Sequence, residues 1–323
     1  MNILIMGLPK SGTSGLAMMI FTAFPGCVRN LERIQYVKDE ELAQGNVICK
    51  ELIDHPNKIG LHGKHYVKYD RLVKIVRDPR DRLVSGILYG GFNTIVDKLD
   101  VRDHFLERLR AKEADPMSVN CTELVSILKI KAKTNHPFEI PTLGSEAYML
   151  STIENLEANF GMPQHTIKYE EFVDKDFVGL QDFLDVVFVK KDVDFSRTSR
   201  SKTHGEWKNW LTPYDIEQFK PIFDPIIQKY KYDDWTVNEN PYINPEKSSE
   251  WAEAKINERY EMHLRGEAAK KAKEEQERLK KEQERLFNER LLKAGIEDFI
   301  NSDYLVFFNI SILIINLIEN FLS

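Results

Sequence analysis

Met1-Asn2-Ile3-Leu4-Ile5-Met6-Gly7-Leu8-Pro9-Lys10-Ser11-Gly12-Thr13-Ser14 opens the chain and sets its architecture. Residues 2–6 form a short apolar run of strand length that stops at a glycine, and the apolar stretch from Leu16 to Phe24 has helical length. A buried strand, a tight turn and a helix therefore follow one another. Further apolar runs at 46–49, 59–61, 72–76 and 165–169 read as buried strands, separated by amphipathic stretches near 80–91, 120–133 and 145–160. Strands alternating with helices need crossover connections, which predicts an α/β fold with a central parallel β-sheet flanked by helices. Segment 93–143 is charge-rich, carries Pro116, Pro137 and Pro141, and separates two strand signals by more than one crossover needs. It reads as a mostly helical insertion.

The 323 residues suffice for one large or two modest domains with a sizeable core. With 42% hydrophobic and 30% charged residues, the composition is that of a soluble globular protein. Lys+Arg 45 against Asp+Glu 51 leaves a net charge of −6, which argues against a nucleic-acid binder. Cys27, Cys49 and Cys121 have neither disulfide-framework nor zinc spacing, so a reducing, cytoplasmic setting is expected. The N-terminal apolar run is too short for a secretory signal and lacks a basic segment before it.

Near residue 245 the composition changes from Asn240-Pro241-Tyr242-Ile243-Asn244-Pro245 to a segment dense in Glu, Lys, Arg and Ala. Residues 1–245 are read as the core domain, 246–295 as a long charged helix and 296–323 as a hydrophobic tail. Opposite charges four residues apart, such as Glu274 with Arg278, support the helix. Ala272, Leu279 and Leu286 keep a seven-residue spacing but their intervening positions are mostly polar, so a solvated single helix is favoured over a coiled coil. The tail from Tyr304 to Leu322 is almost long enough to span a bilayer, yet Asn309, Asn316 and Asn320 fall near one helical face. An amphipathic helix packing on a partner, on the core or on a membrane surface competes there with a C-terminal anchor, so membrane contact through 304–322 is one expectation.

The turn at residues 7–14 has the chemistry of a phosphate cradle. Glycines let successive N–H groups converge on an anion, and the helix behind presents its unpaired N–H groups and positive dipole end. In G-x-x-x-x-G-K-[ST], the triphosphatase form, a lysine follows the second glycine. Thr13 takes that place here, and the cation is Lys10, inside the loop. Two further basic segments follow. Leu72-Val73-Lys74-Ile75-Val76-Arg77-Asp78-Pro79-Arg80-Asp81-Arg82-Leu83-Val84-Ser85 puts Arg77 at a strand end and Ser85 about two helical turns on, both able to serve one phosphate. Arg200-Ser201-Lys202-Thr203-His204-Gly205-Glu206-Trp207-Lys208-Asn209 is a basic, glycine-punctuated loop before aromatics and the helix-like stretch 213–230. Each alone is also explained by helix capping, surface salt bridges or a loop over a buried tryptophan.

These segments, in this order, resemble the sulfotransferases that use 3′-phosphoadenosine 5′-phosphosulfate (PAPS). Pro9-Lys10-Ser11-Gly12-Thr13-Ser14 is similar to the family's 5′-phosphosulfate loop, and Arg77-Asp78-Pro79-Arg80-Asp81 with Ser85 to its 3′-phosphate motif. Gly205-Glu206-Trp207-Lys208-Asn209 resembles its Gly-Asp-Trp-Lys-Asn signature, and Ile167-Lys168-Tyr169-Glu170-Glu171-Phe172 its tyrosine-acidic element. The resemblance spans residues 2 to about 235 and implies a P-loop-like sulfotransferase fold. It further implies that Lys10 contacts the transferred sulfuryl group and that Pro9 to Ser14 enclose the 5′-phosphate. Arg77, Ser85, Arg200 and Lys202 would serve the 3′-phosphate, with Tyr169 near the adenine. Ser201-Lys202 replaces the usual Lys-Gly pair, and Gly15 stands where many members carry tryptophan. Leu61-His62-Gly63-Lys64-His65 resembles a Lys-x-His element and offers His65 as general base, with His62 or an acidic residue as alternatives.

On this reading PAPS is the co-substrate, no metal is needed, and the acceptor is an alcohol, glycan or other small molecule. Two rivals remain: a P-loop kinase or nucleotide hydrolase, and a scaffold acting through its charged helix and tail.

Overall fold

The structure is a computed structural model that describes residues 1–53, 64–95, 98–132, 150, 161–188, 200 and 203–293. Five strands form the sheet: β1 (Ile3–Gly7), β2 (Val28–Leu31), β3 (Val47–Leu52), β4 (Arg71–Val76) and β5 (Gln164–Lys168). Their order is β2-β3-β1-β4-β5 and every pairing is parallel. The central parallel sheet flanked by helices is therefore present.

β1 is central because its side chains meet apolar cover on both faces, as a parallel strand requires. Ile3 and Ile5 join Leu16, Ile20 and Phe21 of α1 (Thr13–Ala23), with Ile48, Val73 and Ile75 from the neighbouring strands. Leu4 and Met6 point the other way, to Val47, Cys49, Leu72 and Val76. A third cluster joins α3 (Pro79–Thr94), α4 (Leu99–Ala114), α5 (Cys121–Ala132) and α9 (Pro213–Tyr230) through Ile87, Phe105, Leu124, Phe219 and Trp207. The short α2 (Asp39–Ala43) leads into β3, while α6 (Tyr169–Asp174) and α7 (Val178–Leu184) follow β5. Trp207 belongs to α8 (Trp207–Trp210).

Two sequence expectations change in detail. β2 was not expected, because Val28-Arg29-Asn30-Leu31 is an edge strand whose alternate residues are exposed, and such a strand needs no continuous apolar run. The run at 46–49 continues to Leu52 through Lys50 and Glu51, both buried in spite of their charge. The expected strand at 59–61 lies outside the described residues. The described part of segment 93–143 is helical, in α4 and α5.

The chain divides into two compact units, Met1–Glu261 and Met262–Ser323. A single helix, α10 (Ser249–Lys293), begins in the first unit, where Ala252 and Ile256 are fully buried, so that unit continues past residue 245. In the second unit, Arg278 pairs with Glu275 at 2.6 Å, and Arg285 with Glu282 at 2.6 Å and Glu289 at 3.2 Å. Among the described residues no helix is long and apolar enough to cross a membrane, and the stretch 304–322 lies outside them.

Candidate functional site

In a sheet ordered β2-β3-β1-β4-β5, the connections from the neighbouring strands β1 and β4 run in opposite directions, so the strand order reverses between them. A crevice opens at the carboxyl ends of the strands at such a point, where α/β proteins bind ligands. The loop from Leu8 to Gly12 leaves β1 there, and Arg77 leaves β4.

Close packing shapes the loop. A Cβ on Gly7 would lie 2.7 Å from Thr13 Cγ2 and 2.8 Å from the Ile75 carbonyl, so β1 turns into the loop only with glycine at that position. Gly12 has φ +87°, and a Cβ there would stand 2.6 Å from Tyr169 Cδ2. Tyr169, the first residue of α6, is therefore seated directly on the loop. Lys10 also has a positive φ, 68°, which costs a non-glycine residue about 1–2 kcal/mol. The Ser11 amide donates to the Leu8 carbonyl at 3.2 Å, and the Leu16 amide to Gly12 at 3.0 Å. Gly12, the N-cap of α1, brings no side chain to cap it, so among the described residues the helix start keeps amide donors for an anion.

Cations gather around this loop. Arg77 Nη1 donates to the Lys10 carbonyl at 3.0 Å, and its guanidinium carbon lies 4.1 Å from the centre of the Tyr169 ring. Arg77 is 8% exposed, and among the described residues its Nε finds no hydrogen-bond partner. Arg82 Nη1 donates to the Pro9 carbonyl at 3.1 Å. Lys10 Nζ stands 3.8 Å over the Tyr89 ring. Burial, reinforced by the charges of Arg77 and Arg200, lowers the Lys10 ammonium from 10.5 to about 7. Ser85 lies between Arg82 and Tyr89 at i+3 and i+7 spacing on α3, so it shares the face that meets the loop. Lys50, on β3, donates to Ser14 Oγ at 3.3 Å and pairs with Glu32.

The third basic segment is tied to the second. Asp81 accepts from the Gly205 amide at 2.5 Å and from the Trp207 amide at 3.0 Å, and its burial raises its carboxyl above the usual range. Arg200 donates to the Lys247 carbonyl at 2.6 Å and pairs with Glu206, which also accepts from Thr203 Oγ1 at 2.7 Å. Arg80 is fully engaged elsewhere. It holds Asp78 at 2.7 Å, donates to the Asp234 and Asp233 carbonyls at 2.5 and 3.0 Å, and stacks 3.7 Å over Trp207. The Asp78 amide in turn donates to Glu170 at 3.1 Å, linking the β4 end to α6.

The structure thus gathers Pro9 to Ser14, Arg77 and Tyr169 at the strand ends, with Ser85 on the α3 face that carries Arg82 and Tyr89 and Arg200 close enough to act electrostatically on Lys10. His65 stands elsewhere, beside the exposed ion pair of Lys68 and Asp39 at 2.5 Å. Its charge acts on Asp39, whereas the charges acting on Lys10 are those of Arg77 and Arg200. His62 and Lys202 lie outside the described residues. Sequence reasoning passed over Arg82 and Tyr89, which touch the loop, and Lys50 and Glu51 on the adjacent strand. The available signal was a charged pair interrupting the apolar run from Val47 to Ile53.

No protein-family model matches the chain, and no curated protein does. Among solved structures, it is similar to mouse sulfotransferase SULT7A1 complexed with PAP, with a TM-score of 0.41 and 19% identity over 70% of this chain and 84% of that one. A likeness that loose transfers no residue roles.

Proposed function

We propose that the chain is a sulfotransferase that moves a sulfuryl group from PAPS to a hydroxyl or amine acceptor. The observation that carries this reading is the cluster of buried cations at the loop. Burial, with the charges of Arg77 and Arg200, lowers the Lys10 ammonium to about 7, and burial beside Arg77 lowers the neighbouring Arg82 guanidinium to about 9. Such an arrangement calls for an anion. PAPS brings a phosphosulfate and a separate ribose-bound phosphate. In this reading Lys10 and the loop amides from Ser11 to Ser14 serve the first, the Ser11 amide by giving up the Leu8 carbonyl, while Arg77, Ser85 and Arg200 serve the second.

In this mechanism an acceptor oxygen attacks sulfur in line, the bond from sulfur to the bridging oxygen breaks, and its electron pair goes to the departing phosphate. Lys10 and the loop amides stabilise that developing charge, an effect worth roughly 10²–10³ in rate per donor. The acceptor's proton goes to a general base; because His65 stands beside Lys68 and Asp39, apart from Lys10, His65→Asn is the first variant to measure. An unchanged kcat in His65→Asn removes His65 and makes Glu51 the next group to test, a buried carboxylate paired in register with Met6 one residue before Gly7.

The test is ligand choice. In the absence of magnesium, 3′,5′-adenosine diphosphate should raise the melting temperature and ATP should not. Transfer from labelled PAPS should then be measured across alcohol, glycan, phenol and amine acceptors. Stabilisation by ATP only in the presence of magnesium would favour the phosphoryl-transfer rival, although Thr13 holds the place of that family's lysine.

A further inference from the structure

The left-handed conformation of Lys10 has a mechanical explanation that involves a residue the proposed chemistry does not use. The peptide planes on either side of a residue define its φ and ψ. For Lys10 the preceding plane contains the Pro9 carbonyl and the following plane contains its own. Arg82 Nη1 holds the first at 3.1 Å, and Arg77 Nη1 holds the second at 3.0 Å. Both planes are therefore pinned by guanidinium donors from β4 and α3, elements anchored in the core. Lys10 keeps φ +68° without the αL tolerance of glycine or asparagine.

The two arginines differ in position. Arg77 is at the end of β4, with Nε unpartnered among the described residues. Arg82 is in the first turns of α3, 1% exposed, with its guanidinium against the loop backbone. Tyr89, two turns further along the same face of α3, receives the Lys10 ammonium on its ring. One helix face thus sets both the backbone and the side-chain direction of Lys10.

We infer that Arg82 is a positioning residue, whose bond to the Pro9 carbonyl holds Lys10 in the left-handed conformation that aims its ammonium at the reacting group. The aim toward a reacting group rests on the sulfuryl-transfer reading. The bracing of the loop does not, and it is tested without donor or acceptor.

The experiment compares Arg82→Met, which removes the donor but keeps most of the volume, with Arg82→Lys, which restores a charged donor of similar reach. Amide hydrogen exchange is followed by mass spectrometry on the full chain. In Arg82→Met the peptide covering residues 7–14 should exchange about tenfold faster or more, while the β1 and β4 peptides keep their protection. Arg82→Lys should recover most of the difference. In transfer assays the Met variant should lose kcat by about 10²-fold, as a misplacement of about 1 Å does, with the affinity for 3′,5′-adenosine diphosphate changed less than threefold. A folded Met variant with unchanged loop exchange overturns the inference. So does acceleration by a common factor in every peptide, which would make Arg82 a general buttress of the core. If Arg82→Met does not fold, Arg82→Gln decides, since it keeps a polar head in the buried seat but falls short of Pro9: a protected loop in that variant also overturns the role. If loop exchange responds as expected and no transfer from PAPS is found with any acceptor, the bracing role stands and the sulfotransferase reading falls.

Discussion

Filling the crevice with an anion should draw a proton onto Lys10. In the free protein its amine titrates at about 7 in place of 10.5. Near pH 8 it is then roughly nine-tenths neutral, and near pH 6 roughly nine-tenths charged. A bound phosphosulfate or phosphate removes the cause of the depression by supplying the missing counter-charge, so the amine returns toward its ordinary value. Binding of 3′,5′-adenosine diphosphate should therefore take up about 0.9 proton at pH 8 and about 0.1 at pH 6. The affinity should weaken about tenfold, or about 1.4 kcal/mol, per pH unit above neutrality.

The free protein has the opposite dependence. Because the folded pKa lies below the unfolded one, the unfolded chain binds more protons between pH 7 and 10.5, and folding stability rises with pH across that window. A shift from 10.5 to about 7 bounds the gain at on the order of 5 kcal/mol, and partial access of water to Lys10 reduces it. Isothermal titration in buffers of different ionisation enthalpy measures the uptake, and calorimetric melting with and without the nucleotide measures the two slopes. Proton uptake below about 0.2 at pH 8, or the same uptake in Lys10→Met, would refute the reasoning.

Arg77→Ala removes the fork expected to meet the ligand and should weaken 3′,5′-adenosine diphosphate by about 1.5–3 kcal/mol; equal affinity in the variant takes Arg77 out of the site. Lys10→Ala should abolish detectable transfer from PAPS while the chain still melts cooperatively, and retained turnover would dismiss Lys10 as the charge-stabilising group. Gly12→Ala places a Cβ 2.6 Å from Tyr169 at φ +87°, so chemical denaturation should show a loss of about 1–2 kcal/mol or more, with nucleotide binding impaired. Asp81→Asn keeps the shape but replaces one of the two oxygens that accept from the Gly205 and Trp207 amides with a donor; proteolysis should then open the segment near residue 205 first, and a resistant segment would show the bonds to be dispensable.

The strand-loop-helix opening was legible because three physical demands coincide in fourteen residues: continuous apolarity, a glycine where β4 leaves no space, and a positive φ at Gly12. β2 was illegible for the converse reason. An edge strand exposes alternate residues, so Arg29 and Asn30 can sit in it with no cost visible to a pattern search. Lys50 and Glu51 look like a strand end in the sequence. They are strand interior because Lys50 finds Glu32 and Ser14, partners that lie on other elements. Tyr169 shows the limit from another side. Its motif can be read, but its contact with Gly12 depends on β5 ending beside β4, which no local pattern encodes.

The run Arg77-Asp78-Pro79-Arg80-Asp81-Arg82 is the clearest case of chemistry that composition leaves undecided. In sequence it is three arginines balanced by two aspartates, almost a neutral helix start. The structure allots the aspartates unequally. Asp78 is consumed by Arg80, which also holds two carbonyls and a tryptophan face and so serves packing. Asp81 is turned toward the Gly205 and Trp207 amides. Arg77 and Arg82 are left facing the loop, where they meet carbonyl oxygens and Lys10. A chain of net charge −6 therefore still gathers Lys10, Arg77 and Arg82 at the loop, with Asp78 held by Arg80, and Asp81, which feels the Arg77 charge, bonded to two backbone amides. Charge-reversal at Arg80 and at Arg77 should accordingly fail in different ways: Arg80→Glu by unfolding the junction around Trp207, Arg77→Glu by abolishing nucleotide binding in a protein that still folds. If Arg77→Glu melts like the parent and binds 3′,5′-adenosine diphosphate as well as the parent, this division of labour among the arginines is wrong.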